Sequence, residues 1–132
     1  MVKSEYKYSE LTGKVIGAAM EVHTILGNGF QELIYQRALF KEMRLRDINF
    51  IREPTMNVFY KGEIIGERSV DFLVEEVVTV EIKAVKQLND IHLAQAINYL
   101  EAYNIEVGLL INFGANSLEY KRLTNKKFKS NK

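Results

Sequence analysis

The sequence contains no cysteine and has a single proline, Pro54. Without cysteine the chain has no disulfide bond, no thiolate zinc site and no cysteine nucleophile. This composition fits a reducing compartment. With 132 residues, 47% of them hydrophobic, the chain is long enough for one domain with a real core and too short for two comfortable ones.

Long apolar runs are also missing. No stretch approaches the roughly 18 uninterrupted apolar residues that a transmembrane helix requires. The first seven residues lack the apolar core of a signal peptide. We therefore expect a cytoplasmic protein with no membrane partner.

An excess of one sign of charge occurs only at the C-terminal end. The formal net charge is only +1, whereas the last twelve residues carry six basic side chains and no acid. These residues are either a solvated, mobile end or an arm that contacts phosphates, with Phe128 able to stack on a base. We expect one domain over residues 5–124, followed by a basic tail, 125–132.

The periodicity of apolar residues predicts an α+β domain in the order α, α, β, β, β, α, β, β. Ser9 is a plausible N-cap for the first helix, and the glycines Gly27 and Gly29 follow directly and end it. The sequence predicts helices near 11–26, 30–46 and 90–102, and strands near 56–60, 64–74, 77–85, 106–112 and 118–123. The first three strands would form an antiparallel meander. The strand near 106–112 is so evenly apolar that it is expected to be buried on both faces.

Charged side chains interrupt two of the apolar strands. Asp71 lies in one, and Glu81 and Lys83 lie in the next. Side chains alternate between the faces of a strand, so Glu81 and Lys83 share a face. If residues 75–77 form the tip of a hairpin, Val74 pairs with Val78, and Asp71 falls opposite Glu81. Two neighbouring carboxylates repel unless a cation or a proton lies between them.

Two interpretations of these charges stay open from the residues alone. In one, they bind a divalent metal or catalyse a reaction. In the other, Glu81 and Lys83 form salt bridges on a solvated sheet face. A two-residue tip would shift the register by one and separate the acids.

Polar side chains on the helices are further candidates for the site. Glu32 and Tyr35 share a face just after the glycine turn, although a glutamate in a first turn also complements the helix dipole. His92, Gln95 and Tyr99 line one face of the third helix, which is also the pattern of a boundary between core and solvent. His23 is expected to be a half-buried helix residue.

Several ordered motifs together resemble a known family. The segment 29–35 is a complete Gly-x-x-Glu-x-x-Tyr signature, and it precedes Asp71, the Glu-x-Lys triplet 81–83, the Gln-x-x-x-Tyr pattern 95–99 and the apolar segment 108–114. The chain resembles the GxxExxY protein family, which is placed in the PD-(D/E)xK nuclease superfamily and has a RecB-like Gln-x-x-x-Tyr helix. The resemblance covers about residues 11–122.

The resemblance implies a restriction-endonuclease-like α/β sandwich in which a three-stranded antiparallel meander and a further strand are flanked by helices. It also implies roles for individual residues. The implied metal ligands are Asp71, Glu81, the Ile82 carbonyl and Glu32; the implied catalytic residues are Asp71, Glu81, Lys83, Glu32 and Gln95; the implied substrate contacts are Tyr99, Tyr35 and His92. Carboxylate oxygens suit Mg²⁺ or Mn²⁺.

The resulting hypothesis is a nuclease that depends on Mg²⁺ or Mn²⁺ and hydrolyses DNA, or less readily RNA. A homodimer or a protein partner that supplies targeting would be compatible with so small a core. The alternative from another class is a non-catalytic nucleic-acid-binding or adaptor protein on the same scaffold. A third alternative is a structural domain whose acids are merely solvated.

Overall fold

Three helices and seven strands are formed by residues 7–130, the part of the chain that the computed structural model describes. They are α1 (Ser9–Leu26), α2 (Glu32–Leu45), β1 (Phe50–Arg52), β2 (Thr55–Tyr60), β3 (Glu63–Ser69), β4 (Phe72–Val74), β5 (Val78–Lys83), α3 (Asp90–Ala102), β6 (Val107–Asn112) and β7 (Glu119–Thr124). The predicted start of the domain at residue 5 and the last two residues of the predicted tail lie outside this range.

Five strands form the main sheet, in the order β1-β4-β5-β6-β7. The β5–β6 pair is parallel, and the other neighbouring pairs are antiparallel. A parallel pair needs a long crossover connection, and α3 supplies it. All six residues of β6 are buried, as the sequence predicted.

The sheet is covered by helices on both faces. Helices α1 and α2 pack on one face around a core that includes Val15, Leu39 and Phe72, all without exposed surface. Helix α3 packs on the other face, where Leu100 meets Leu110. The fold is therefore the α+β sandwich that the sequence predicted, with the arrangement of a restriction-endonuclease-like nuclease domain.

The strands of the antiparallel meander differ from the prediction. Its first strand is β1, not the segment near 56–60, because β2 pairs only with β3 in a separate hairpin. The predicted strand 64–74 is interrupted at residues 70–71, which separate β3 from β4. A bulge in β3 leaves Ile65 unpaired beside Gly66.

The ends of helix α1 are set by backbone conformation. Gly27 ends the helix at a positive φ of 74° and donates its N–H to the carbonyl of His23. At the other end the N-cap is Tyr8 in the left-handed region, and no side chain caps the helix. Ser9 is the first helical residue, so its predicted role as N-cap is wrong by one position.

The first residues of the basic tail are packed against the domain. The Asn125 side-chain amide donates to the carbonyls of Leu100 and Ile105, at 3.1 Å each. Asn104 and Lys129 exchange two further hydrogen bonds of 2.8 and 2.9 Å.

Within the described range no helix is long and apolar enough to cross a membrane.

Candidate active site

Asp71 and Glu81 are brought together by the hairpin between β4 and β5. Val74 pairs with Val78 across a three-residue tip, and Phe72 pairs with Val80. Asp71 directly precedes Phe72 and Glu81 directly follows Val80, and the charge of Asp71 helps to raise the pKa of Glu81. Of the two tip lengths that the sequence left open, the structure has the three-residue tip.

Beyond the last β4–β5 residue pair, the Asp71 carboxylate accepts a hydrogen bond from the backbone of β5. Its Oδ2 accepts a hydrogen bond from the Ile82 backbone N–H at 2.7 Å. Its Oδ1 accepts one from Gln36 Nε2, also at 2.7 Å. The backbone N–H and C=O of one strand residue point to the same side, so the Ile82 carbonyl faces the side on which Asp71 lies.

Gln36 links Asp71 to two further charged residues. Its Nε2 also donates to Glu53 Oε1 at 3.2 Å, and its Oε1 accepts from Arg52 at 2.9 and 3.2 Å. The side chain is only 5% exposed. Sequence reasoning missed Gln36, although it lies four residues after Glu32 on the same face of α2.

Glu53 approaches the site from the connection between β1 and β2. Its backbone has a positive φ of 52°, which is uncommon for a residue other than glycine. Its N–H donates to the Asp71 carbonyl at 2.9 Å. Both the backbone carbonyl and the carboxylate of Asp71 therefore accept hydrogen bonds.

Glu81 has one ion pair within the described residues. Arg68 Nη2 lies 3.6 Å from its Oε1, and the Glu81 side chain is 13% exposed. The Arg68 guanidinium also lies over the Tyr99 ring, 5.6 Å from its centroid. Arg68 was not identified from the sequence, because its contact with Glu81 joins residues 13 positions apart that belong to different sheets.

Burial raises the pKa of both carboxyl groups. Desolvation is the main cause for Asp71, opposed by the hydrogen bonds from Ile82 and Gln36 and by the charge of Lys83. Desolvation is also the main cause for the raised pKa of Glu81, where Arg68 and Lys83 oppose it. Lys83 therefore acts on both acids through space, and a cation between them would lower both pKa values.

Glu32 lies near this pair without joining it. It is exposed in the first turn of α2, and its charge helps to raise the pKa of Glu81. Over the described range no three side chains of histidine, cysteine, aspartate or glutamate converge as metal ligands. The role of Glu32 as a metal ligand stays a prediction.

The three predicted residues of α3 have different surroundings. Tyr99 is 1% exposed, and its hydroxyl is buried with no hydrogen-bond partner among the described residues. Burial raises the pKa of Tyr99 to about 12. Gln95 is exposed, and its side chain makes no hydrogen bond to the rest of residues 7–130. The His92 ring nitrogen instead accepts from the Asn89 N–H in the capping box of the helix.

Tyr35 and His23 serve the turn between α1 and α2 and its surroundings. The Tyr35 hydroxyl donates to the Gly27 carbonyl at 2.6 Å and accepts from the Phe30 N–H at 3.1 Å. Its ring has no exposed surface and stacks on Phe113. Both hydrogen bonds of the Tyr35 hydroxyl are made within this turn, and its predicted role as a substrate contact stays a prediction. His23 is half-buried, as expected, and bonds the Ala115 carbonyl.

The donors at the acidic pair suit a hard divalent cation. Asp71 and Glu81 offer carboxylate oxygens, and the Ile82 carbonyl faces the same region. Mg²⁺ is commonly bound by one or two carboxylates and completed by waters or substrate phosphates. A cation here would also remove the repulsion between the two carboxylates.

Comparisons with known proteins agree with this geometry. The family model described as the PD-(D/E)XK nuclease superfamily matches residues 9–123. The chain belongs to the PD-(D/E)XK nuclease superfamily. No match was found among curated proteins.

A solved structure supports the same fold. The chain is similar to the crystal structure of SSO0001, with a TM-score of 0.56 and 17% sequence identity. The match covers 89% of this chain and 59% of that one, so the chain spans less than two thirds of that protein. The likeness is one of fold.

Proposed function

We propose that this protein is a nuclease that depends on Mg²⁺ or Mn²⁺ and hydrolyses phosphodiester bonds of DNA, or less readily of RNA. The observation that carries the proposal is that Asp71, Glu81 and Lys83 lie within electrostatic reach of one another, with Lys83 two residues after Glu81 on the same face of β5. Two raised carboxyl pKa values beside a lysine are typical of a functional site.

Each side chain has a distinct part in this proposal. Asp71, Glu81 and the Ile82 carbonyl hold the cation, and Gln36 keeps the Asp71 carboxylate in place. When bound, the cation lowers the pKa of a water molecule and draws charge from the phosphoryl oxygens. The Lys83 ammonium orients the attacking water and stabilises the negative charge that develops on the phosphate.

The overall reaction is the addition of one water molecule across a P–O ester bond. The water oxygen bonds to phosphorus while the bond from phosphorus to the leaving oxygen breaks. One proton of the water is released from the nucleophile, and one proton reaches the leaving oxygen. Gln95 and Tyr99, on the helix beside β5, would contact the substrate or orient Lys83.

We further propose that the chain is a GxxExxY family member and acts in the cytoplasm, as a homodimer or with a protein that supplies targeting. Gln36 follows Glu32 by one helical turn in α2, which gives the glutamate of the signature a place beside the site. A single small domain offers little surface for reading a sequence, which favours recognition of nucleic-acid shape or help from a partner.

The decisive experiment compares Lys83→Ala with the wild-type protein on single- and double-stranded DNA and RNA, in Mg²⁺, in Mn²⁺ and in EDTA. Loss of the ammonium should lower the cleavage rate by about 100- to 1000-fold. Oligonucleotide binding should be retained, because the loss concerns the transition state. Lys86→Ala, which removes an exposed lysine three residues away, is the matched control and should keep full activity.

The outcomes separate the proposal from its rivals. Cleavage that survives in Lys83→Ala would point to a contaminant or to another active site. Binding of nucleic acid without cleavage, unaffected by metal, would favour the non-catalytic adaptor. Neither binding nor stabilisation by Mn²⁺ would leave a structural domain with solvated acids.

A further inference from the structure

Arg68 occupies an unusual position for a surface arginine. It lies near the end of β3, just before the short connection that carries Asp71 into β4. Its side chain is 33% exposed, and it reaches back over the Tyr99 ring to the Glu81 carboxylate. At 3.6 Å, the ion pair with Glu81 is a single loose contact.

The position of Arg68 overlaps with that proposed for the metal. A guanidinium beside Glu81 supplies the positive charge that a divalent cation would otherwise supply. Both cations cannot neutralise the same carboxylate to full effect, because they also repel each other. Binding of metal to Glu81 should therefore weaken the hold of that carboxylate on Arg68.

The Tyr99 hydroxyl is a second sign that this corner of the site is built for a ligand. It is a buried donor with no hydrogen-bond partner among the described residues, and it lies within electrostatic reach of Glu81 and Arg68. A buried donor without a partner is costly, and an acceptor such as a phosphate oxygen would satisfy it.

We propose that Arg68 is a phosphate-binding residue of the site, paired with Glu81 in the metal-free protein and transferred to the substrate when metal binds. The planar fork of an arginine matches two phosphate oxygens, whereas it meets Glu81 through one nitrogen. The inference rests on the proposed function, because it assumes that the substrate is a phosphodiester.

The first test measures Mn²⁺ binding by titration calorimetry, without nucleic acid. Arg68→Ala removes the cation that competes for Glu81, so it should bind Mn²⁺ severalfold more tightly than the wild type. Arg44→Ala is the matched control, because Arg44 also lies 5.6 Å from an aromatic ring, that of Phe40, at the far end of α2. The control should have wild-type affinity for Mn²⁺.

The second test measures binding of a labelled oligonucleotide, by fluorescence anisotropy, in the Lys83→Ala background with Mn²⁺ present. Adding Arg68→Ala should weaken binding by about 10- to 100-fold. It should also reduce the slope of log affinity against log salt by about one. Adding Arg44→Ala should leave the slope unchanged.

We expect Arg68→Ala to raise the affinity for Mn²⁺ and to lower the affinity for the oligonucleotide. Replacing a merely structural residue would lower both affinities. Unchanged or weaker Mn²⁺ binding by Arg68→Ala, beside normal binding by the wild type, would overturn this inference alone. No Mn²⁺ binding by the wild type would overturn the proposed function as well. If Arg68→Ala does not fold, Arg68→Lys provides the test. Lysine keeps the charge but has no planar fork, so oligonucleotide binding equal to that of the wild type would exclude a bidentate phosphate contact.

Discussion

The Glu81 side chain shows how far the metal-free site departs from an ordinary sheet surface. A solvated glutamate in a strand would gain little from an ion pair and lose little from its surroundings. Here burial outweighs the favourable charges of Arg68 and Lys83, and the pKa of Glu81 is raised above its usual value of 4.5. The fold therefore keeps a carboxylate in a place that disfavours its charge, which is typical of functional sites rather than of structural ones.

This raised pKa predicts a pH-dependent gain in stability for Glu81→Gln. A raised carboxyl pKa adds stability that is complete below the usual value and is lost as the pH rises through the raised value. At neutral pH in EDTA, the neutral glutamine should therefore give a higher melting temperature than the wild type. Well below pH 4.5 the difference should disappear, because both side chains are then uncharged.

Thermal melts of both proteins across this pH range provide the measurement, and Glu67→Gln on exposed β3 is the control. A glutamine variant that is less stable than the wild type at neutral pH would mean that the ion pair with Arg68 outweighs the burial of Glu81.

The central acids of the site could be predicted from the sequence, whereas the residues that hold them could not. Asp71 and Glu81 are close in sequence and joined by a hairpin, so strand parity brought them together once the tip had three residues, a length that the sequence left open. Gln36 contacts Asp71 from 35 positions away. Such a contact depends on how α2 packs on the sheet, which local patterns do not specify.

Helix α2 is joined to the sheet by polar contacts as well as by its apolar face. Leu39 and Met43 are fully buried in the core that covers the sheet. One turn before Leu39, Gln36 meets Asp71 and the adjacent residues Arg52 and Glu53, which belong to two different segments of the chain. The helix thus determines where the Asp71 carboxylate lies.

Gln36→Ala should therefore lower both the stability of the protein and its affinity for metal. It removes the donor to Asp71 and leaves the Arg52 guanidinium without its acceptor, which should cost about 1–3 kcal/mol of unfolding free energy. Loss of a residue that orients a metal ligand typically weakens metal binding by about 10- to 100-fold. Urea denaturation and Mn²⁺ calorimetry measure the two effects.

The matched control for this change is Arg37→Ala, the exposed neighbour on the same helix. It should behave as the wild type in both measurements. Unchanged Mn²⁺ affinity in Gln36→Ala would mean that the hydrogen bond from Ile82 alone holds Asp71 in place.

Secondary structure could be predicted where the pattern was long and uniform. Helix α3 begins after Asn89, as expected, because the Asn89 side chain accepts from the N–H groups of Ile91 and His92. Strand β1 was missed because it has only three residues and none is buried. Its pairing with β4 depends on contacts between distant parts of the chain, and the apolar segment after Pro54 has the stronger strand pattern.

The ends of β5 and β6 lie against each other where the sheet meets the active site. The Phe113 N–H donates to the Lys83 carbonyl at 2.9 Å, and the Asn112 side chain bonds both the N–H and the C=O of Val85. These bonds fix the chain that follows Lys83. The whole assembly of sheet and connections, rather than β5 alone, therefore positions the lysine.

Gly114 allows this close approach, and Gly114→Ala should disrupt it. An added Cβ would lie 2.4 Å from the Val85 carbonyl oxygen and 2.5 Å from its nitrogen, and backbone atoms cannot rotate away as a side chain can. We expect a loss of about 3 kcal/mol of unfolding free energy. At a temperature where the variant is still folded, cleavage should also fall, because the segment after Lys83 must shift.

Gly66→Ala is the control, because its added Cβ would meet nothing. Its urea denaturation and its cleavage rate should both stay close to those of the wild type. A folded Gly114→Ala variant with wild-type stability and activity would show that the β5 and β6 ends can separate without moving Lys83.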